Sequence, residues 1–238
     1  MSPSPPKTSH PLLRRLRNHW PWLTLTPQGN PHPRRDFTPL KEKRFVVLDV
    51  ETTGLDIRTD QLLSIGAIAI CQGEITLGDH FTIHIRQLKQ VANESTLLHG
   101  LTPSLLQTGE NPATALKAFL AYTGQAHLLA FHAPFDRAML KRGIKHALGS
   151  PWKTHFWDVA DVASALYPEQ ATRLQSLDAW LEHFGVEVAE RHNAFADAMA
   201  TAELMLILLK KCDSQAIETV AQLDEKIRIC HRLRQMGR

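Results

Sequence analysis

From Phe45 onward the hydrophobic pattern has a short period: apolar runs at Phe45 to Val50, Leu62 to Ile70 and His80 to Arg86, separated by turns rich in Gly and Asp. Runs of this length, bounded by turn residues, predict β-strands, and three in succession with short links predict an antiparallel meander. Helical periodicity then appears around Pro112 to Tyr122, followed by another apolar run at His127 to Phe131 and a mostly helical remainder. Gly124 and Gly185 fall where helices should stop, and Pro134 and Pro168 where helices begin or cannot continue. Strands interleaved with helices predict an α/β domain, a mixed sheet flanked by helices.

Composition changes that picture at the ends of the chain. The first 40 residues hold nine of the 14 prolines and no acid before Asp36. Residues 1–44 carry nine Lys/Arg against two Asp/Glu, whereas residues 45–238 carry 18 against 22, so a basic arm precedes a net acidic body. We expect three segments: a basic, Pro-rich, flexible arm over 1–43, a catalytic domain over 44–212, and a helical extension over 213–238 that includes a charged helix from Glu218 to Arg234. The arm suits nucleic-acid contact, a partner-binding helix, a transit peptide or a plain solvated tail. No apolar run approaches the roughly 20 residues of a membrane span. Cys71, Cys212 and Cys230 are odd in number and widely spaced, which argues against a disulfide framework and for a reducing cytoplasm.

Three short stretches carry candidate chemistry. In Asp49-Val50-Glu51-Thr52-Thr53-Gly54, at the end of the first strand, period-2 geometry puts Asp49 and Glu51 on one face. Two carboxylates this close persist if one is protonated or if cations lie between them, and an all-oxygen donor set selects hard ions. Exposed acids at a strand end are the plain alternative. Asp136, in Ala133-Pro134-Phe135-Asp136, reads by itself as an ordinary first-turn acid favoured by the helix dipole. In His192-Asn193-Ala194-Phe195-Ala196-Asp197, the workable geometry has Asn193 as the N-cap, His192 in the preceding loop and Asp197 in the first turn. A histidine at such a place is as readily a local hydrogen-bonding group as a base.

Taken in order, these stretches resemble the three motifs of the DEDDh 3′-to-5′ exonuclease superfamily, which contains the proofreading epsilon subunit of bacterial DNA polymerase III and its free-standing relatives. Ser64-Ile65-Gly66-Ala67 on the second strand, His99-Gly100-Leu101-Thr102, Asp158 in the helix after the second motif and Leu177 to Gly185 extend the likeness over about residues 45–210. The resemblance implies a ribonuclease-H-like fold, three antiparallel strands followed by parallel ones. It implies that Asp49, Glu51, Asp136 and Asp197 ligate two divalent cations, Mg²⁺ with Mn²⁺ as substitute, and that His192 is the general base. Its histidine five residues before the last aspartate, in place of a tyrosine four before, sets the subclass. Thr52, Thr53, Leu55, His99 and His132 are expected near the substrate. His132 departs from the family, which commonly has His-Asn where this chain has Phe131-His132.

The implied reaction is removal of nucleoside monophosphates from a nucleic-acid 3′ end, with single-stranded DNA favoured and a DNA polymerase or repair protein as partner. An RNA-trimming exonuclease of the same class and a catalytically silent binding module are the alternatives. The short charged helix at the end, in place of a long tether, favours a free-standing nuclease.

Overall fold

Strong β-formers in the first apolar run make the centre of a sheet, because that run is apolar on both sides and can be covered on both faces. The structure is a computed structural model and describes residues 35–87, 101–188 and 193–236. Five strands, β1 (Phe45–Thr52), β2 (Leu62–Cys71), β3 (Glu74–His84), β4 (His127–Ala130) and β5 (Phe156–Asp158), lie in the order β3-β2-β1-β4-β5. β3, β2 and β1 are antiparallel, and β4 and β5 are parallel to β1, as the resemblance implied.

The helices are α1 (Pro103–Thr108), α2 (Pro112–Thr123), α3 (Pro134–Leu148), α4 (Val159–Leu166), α5 (Leu177–Phe184), α6 (Ala194–Ser214) and α7 (Val220–Met236). Asn111, Asp158, Ser176 and Asn193 cap the starts of α2, α4, α5 and α6 by accepting backbone N–H bonds, and Gly149 and Gly185 end α3 and α5 in the left-handed conformation.

Alternation along β1 divides the core. Phe45 and Val47, with Ile68, Ile70 and Leu129, pack against α4, α5, α6 and α7 through Val162, Trp180, Met205 and Leu223. Val46, Leu48 and Val50, with Ile65 and Leu128, pack against α2 and α3 through Phe119, Leu140 and Ile144.

Two elements differ from the expectation. β3 starts at Glu74, because Gln72 and Gly73 form a two-residue turn with φ of 54° and 76°, the left-handed pair that suits a tight hairpin. Its first half lies at the sheet edge with Leu77 68% exposed, so it lacks the apolar pattern that marks a half-buried strand. Asp158, expected within a helix, ends β5 and caps α4 instead, and a three-residue strand is too short to show a period.

Residues 1–34, most of the basic arm, lie outside the described residues. Residues 35–43 run along the domain: Leu40 is buried, its N–H donates to the Glu218 carbonyl, and the Val220 N–H donates to the Thr38 carbonyl. The Trp157 indole donates to Asp224 at 2.6 Å, tying α7 to β5. No helix among the described residues is long and apolar enough to cross a membrane.

Candidate active site

Asp49 and Glu51 share the parity of Phe45 and Val47, so β1 presents both carboxylates on the face covered by α6. Across the ladder, Asp49 pairs with Gly66 of β2. A Cβ built on Gly66 would lie 2.3 Å from Ala194 C and from Phe195 N, so the first turn of α6 rests directly on the β2 backbone. Asn193 fixes where that turn begins by accepting from the Phe195 and Ala196 N–H groups. Asp197 follows one turn later. As a result Asp49, Glu51 and Asp197 each offer a carboxylate oxygen, and these atoms lie within 4.8 Å of one another.

Asp136 reaches the same end of the sheet from α3, on the opposite face. β4 pairs with β1 only as far as Val47↔Leu129, and past that point Asp136 Oδ1 accepts the Val50 N–H at 3.1 Å. The carboxylate therefore fills the gap where β4 leaves β1, at the carboxyl ends of the parallel strands, the usual location of ligands in open α/β sheets. It stands outside the set of three that share the 4.8 Å spacing.

Burial and mutual repulsion set the electrostatics. Desolvation, then the charges of Asp197 and Asp136, push Glu51 up to about 8. Burial raises Asp136 as well, against the hydrogen bond from Val50, and burial with the Asp161 charge raises Asp158. An acidic, all-oxygen cluster whose central carboxyl resists ionisation fits a hard divalent cation, which would supply the missing positive charge.

A stability prediction follows for the metal-free protein. The folded pKa of Glu51, about 8, lies above its ordinary 4.5, so the folded state holds the extra proton. Its contribution to stability is fully present below pH 4.5 and is lost as pH rises through about 8. Melts in EDTA should show this decline, and Mg²⁺ should reverse it most strongly at the alkaline end. A pH-independent Mg²⁺ effect would contradict it.

The β1–β2 loop is organised by Asp60, which sequence reading passed over. Thr53 Oγ1 donates to Asp60 Oδ1 at 2.6 Å and accepts from Gln61 N, and Asp56 N donates to Asp60 Oδ2 at 2.8 Å. Its only signal was an acid seven residues after Thr53, too common to single out. The Thr52 hydroxyl donates to the Gly54 carbonyl, and Leu55, 85% exposed, projects from this loop.

His132 has φ 58°, a left-handed conformation in which Asn and His are among the few enriched residues. This gives the His-for-Asn departure a backbone reason. The His132 N–H donates to Asp158 Oδ1 at 2.9 Å, and its Nε2 lies 3.1 Å from the Gln175 carbonyl, so the ring is placed against the chain before α5. It is not part of the carboxylate cluster. His99 and His192 lie outside the described residues.

Known proteins resemble the chain in sequence and in fold. Over 181 residues the chain is 29% identical to the DNA polymerase III PolC-type of Thermotoga maritima, spanning 76% of this chain and 13% of that protein. It is 30% identical over 194 residues to a DNA polymerase III subunit epsilon-like protein of Rhodobacter capsulatus, spanning 80% and 27%. The chain thus corresponds to a minor part of these relatives' length. The structure of E. coli exonuclease I in complex with a dT13 oligonucleotide superposes with a TM-score of 0.62 at 21% identity, over 73% of this chain and 42% of that one, which establishes a shared fold. Residues 46–205, spanning all three motifs, match the RNase_T exonuclease family. The chain belongs to that family, within the DEDDh superfamily of 3′-to-5′ exonucleases.

Proposed function

We propose that the chain hydrolyses phosphodiester bonds at nucleic-acid 3′ ends, DNA in preference to RNA, releasing nucleoside monophosphates in a reaction that depends on Mg²⁺ or Mn²⁺. The observation that carries this reading is the set of three carboxylates within 4.8 Å, at the carboxyl end of the central strand, on the motifs of an exonuclease family.

Asp49, Glu51 and Asp197 would hold the cation site, with Asp136 held beside it by the Val50 N–H. Bound divalent ions at such a site lower the pKa of an attacking water and offset charge on the leaving 3′ oxygen. His192, next to the Asn193 cap in sequence, takes the water's proton, since an imidazole titrates near neutrality. Thr52, Thr53 and Leu55 flank the terminal nucleotide: the Thr53–Asp60 bond steadies the loop, and exposed Leu55 offers an apolar surface to a base. His99 and His132 complete the proposed substrate contacts.

Single-stranded DNA is the favoured substrate, and the oligonucleotide in the exonuclease I complex supports that choice. A polymerase or repair partner is supported by the PolC-type and epsilon-like relatives. Three cysteines without disulfides suit a reducing cytoplasm.

The test is Mg²⁺-dependent digestion of a 3′-labelled single strand, the matching duplex and its RNA equivalent. Stepwise release from the labelled end of DNA, lost in EDTA and in Asp49→Ala, is expected. Removal of a metal ligand should cost more than the roughly 10–100-fold that changes one shell further out cost. An Asp49→Ala protein that digests at the parent rate would refute the assignment.

A further inference from the structure

A cavity of about 470 Å³ opens over the edge strand β5, between the first two turns of α3 and the middle of α7. Pro134, Arg137 and Lys141 line one side, Ile227 and His231 the other, and Phe156 forms part of the floor. Arg137 in its wall directly follows Asp136 in the chain, and Asp158, also in its lining, lies near enough for its charge to act on Asp136.

Its lining sets Arg137 and Lys141 against Asp158 and Asp161, and the two cations stand together on its α3 side. Arg137 and Lys141 are followed at the same helical spacing by Lys145, which puts three exposed cations in one row on α3. None of the three forms an ion pair with a described residue. The cavity's two acids are already engaged: Asp161 by His231 at 2.9 Å and Arg234 at 3.7 Å, and Asp158 by the His132 and Ala160 N–H groups. Successive cations in the row are about 6 Å apart along the helix axis, four residues at 1.5 Å each. That interval is comparable with the separation of neighbouring phosphates in an extended strand. A positive track beside an apolar, partly aromatic floor is how proteins hold single strands without reading sequence.

We infer that this groove carries the sugar-phosphate backbone of a single nucleic-acid strand between the carboxylate cluster and α7, with Arg137 and Lys141 on successive phosphates. The direction of the strand rests on the proposed exonuclease reading; the phosphate contacts do not.

The experiment compares the full parent chain, Arg137→Glu/Lys141→Glu, and Lys117→Glu/Lys210→Glu, which makes the same charge change on exposed positions of α2 and α6. Binding of labelled DNA and RNA strands of about 20 nucleotides, longer than the roughly 4–16 one such surface covers, is measured in EDTA over a salt series. The groove variant should bind more weakly than the control, with a log–log salt slope shallower by about 1.4, from two contacts at about 0.7 each on a single strand. The effect should be equal on DNA and RNA, because phosphate is common to both. Slopes and affinities matching the control, or a loss confined to one sugar, overturn the groove. Parallel Mg²⁺ digestion by the parent separates the two readings. Digestion with no groove effect leaves the activity and removes the track; the slope change without digestion does the reverse.

Discussion

Glu51→Gln should make the metal-free protein more resistant to heat above about pH 8 while removing Mg²⁺-dependent hydrolysis. The side chain is 5% exposed and faces the charges of Asp197 and Asp136, so ionising it costs stability that a neutral amide of the same size does not lose. At about 1.4 kcal/mol per pKa unit, and allowing for water reaching this open end of the sheet, the gain is on the order of 1–3 kcal/mol. For a domain of this size each kcal/mol moves the melting temperature by about 2–4 °C. The same substitution removes a proposed charged ligand, so Mg²⁺ should raise the variant's Tm much less than the parent's, since stabilisation by a ligand tracks its affinity for the folded state. Hydrolysis should fall by more than about 100-fold, beyond the effect of an outer-shell change. Stability and activity moving in opposite directions is the signature of a site strained for function. Melts in EDTA and in Mg²⁺, beside a digestion assay, measure both. A variant that melts below the parent in EDTA would mean that the carboxyl is not strained, and an equal Mg²⁺ shift in both proteins would mean that it is not a ligand.

How much of this could be read in the sequence depended on whether the signal was local. Asp49 and Glu51 were legible because strand period alone puts them together, and Asn193 because a cap is written in the residues beside it. The meander followed from run order, and the parallel strands after it from the family resemblance. Asp136 was ambiguous for a physical reason: its place in a first turn satisfies the helix dipole, and its bond to Val50 spans 86 positions that no local pattern encodes. β3's exposed half had no apolar period to show, and β5 was too short for one. Asp60 and the left-handed His132 are loop features whose partners depend on how the chain returns. His192 and His99, the proposed base and a proposed substrate contact, are legible in the motifs alone.

Gly66 shows the same limit in its strongest form, because its function is the absence of a side chain at a contact between β2 and α6. Gly66→Ala should lower both stability and activity. The added Cβ would meet Ala194 C and Phe195 N at 2.3 Å and Ala194 O at 2.4 Å, and all three are backbone atoms that no rotamer change can move aside. Either α6 lifts or β2 bends. Overpacking of this kind typically costs about 1–3 kcal/mol, and the upper end or beyond is expected here because the obstruction is main chain. Lifting α6 displaces Asp197 from Asp49 and Glu51, and a shift of about 1 Å at a catalytic group can cost on the order of 100-fold. Loss of activity should therefore persist at temperatures where the variant is still folded, with weaker Mg²⁺ binding by calorimetry. Gly78→Ala is the matched control: it lies on β3 with nothing within 4 Å of the added Cβ and should melt within about 1 kcal/mol of the parent. If Gly66→Ala melts and binds Mg²⁺ as Gly78→Ala does, the close approach of α6 to β2 is not what assembles the carboxylates.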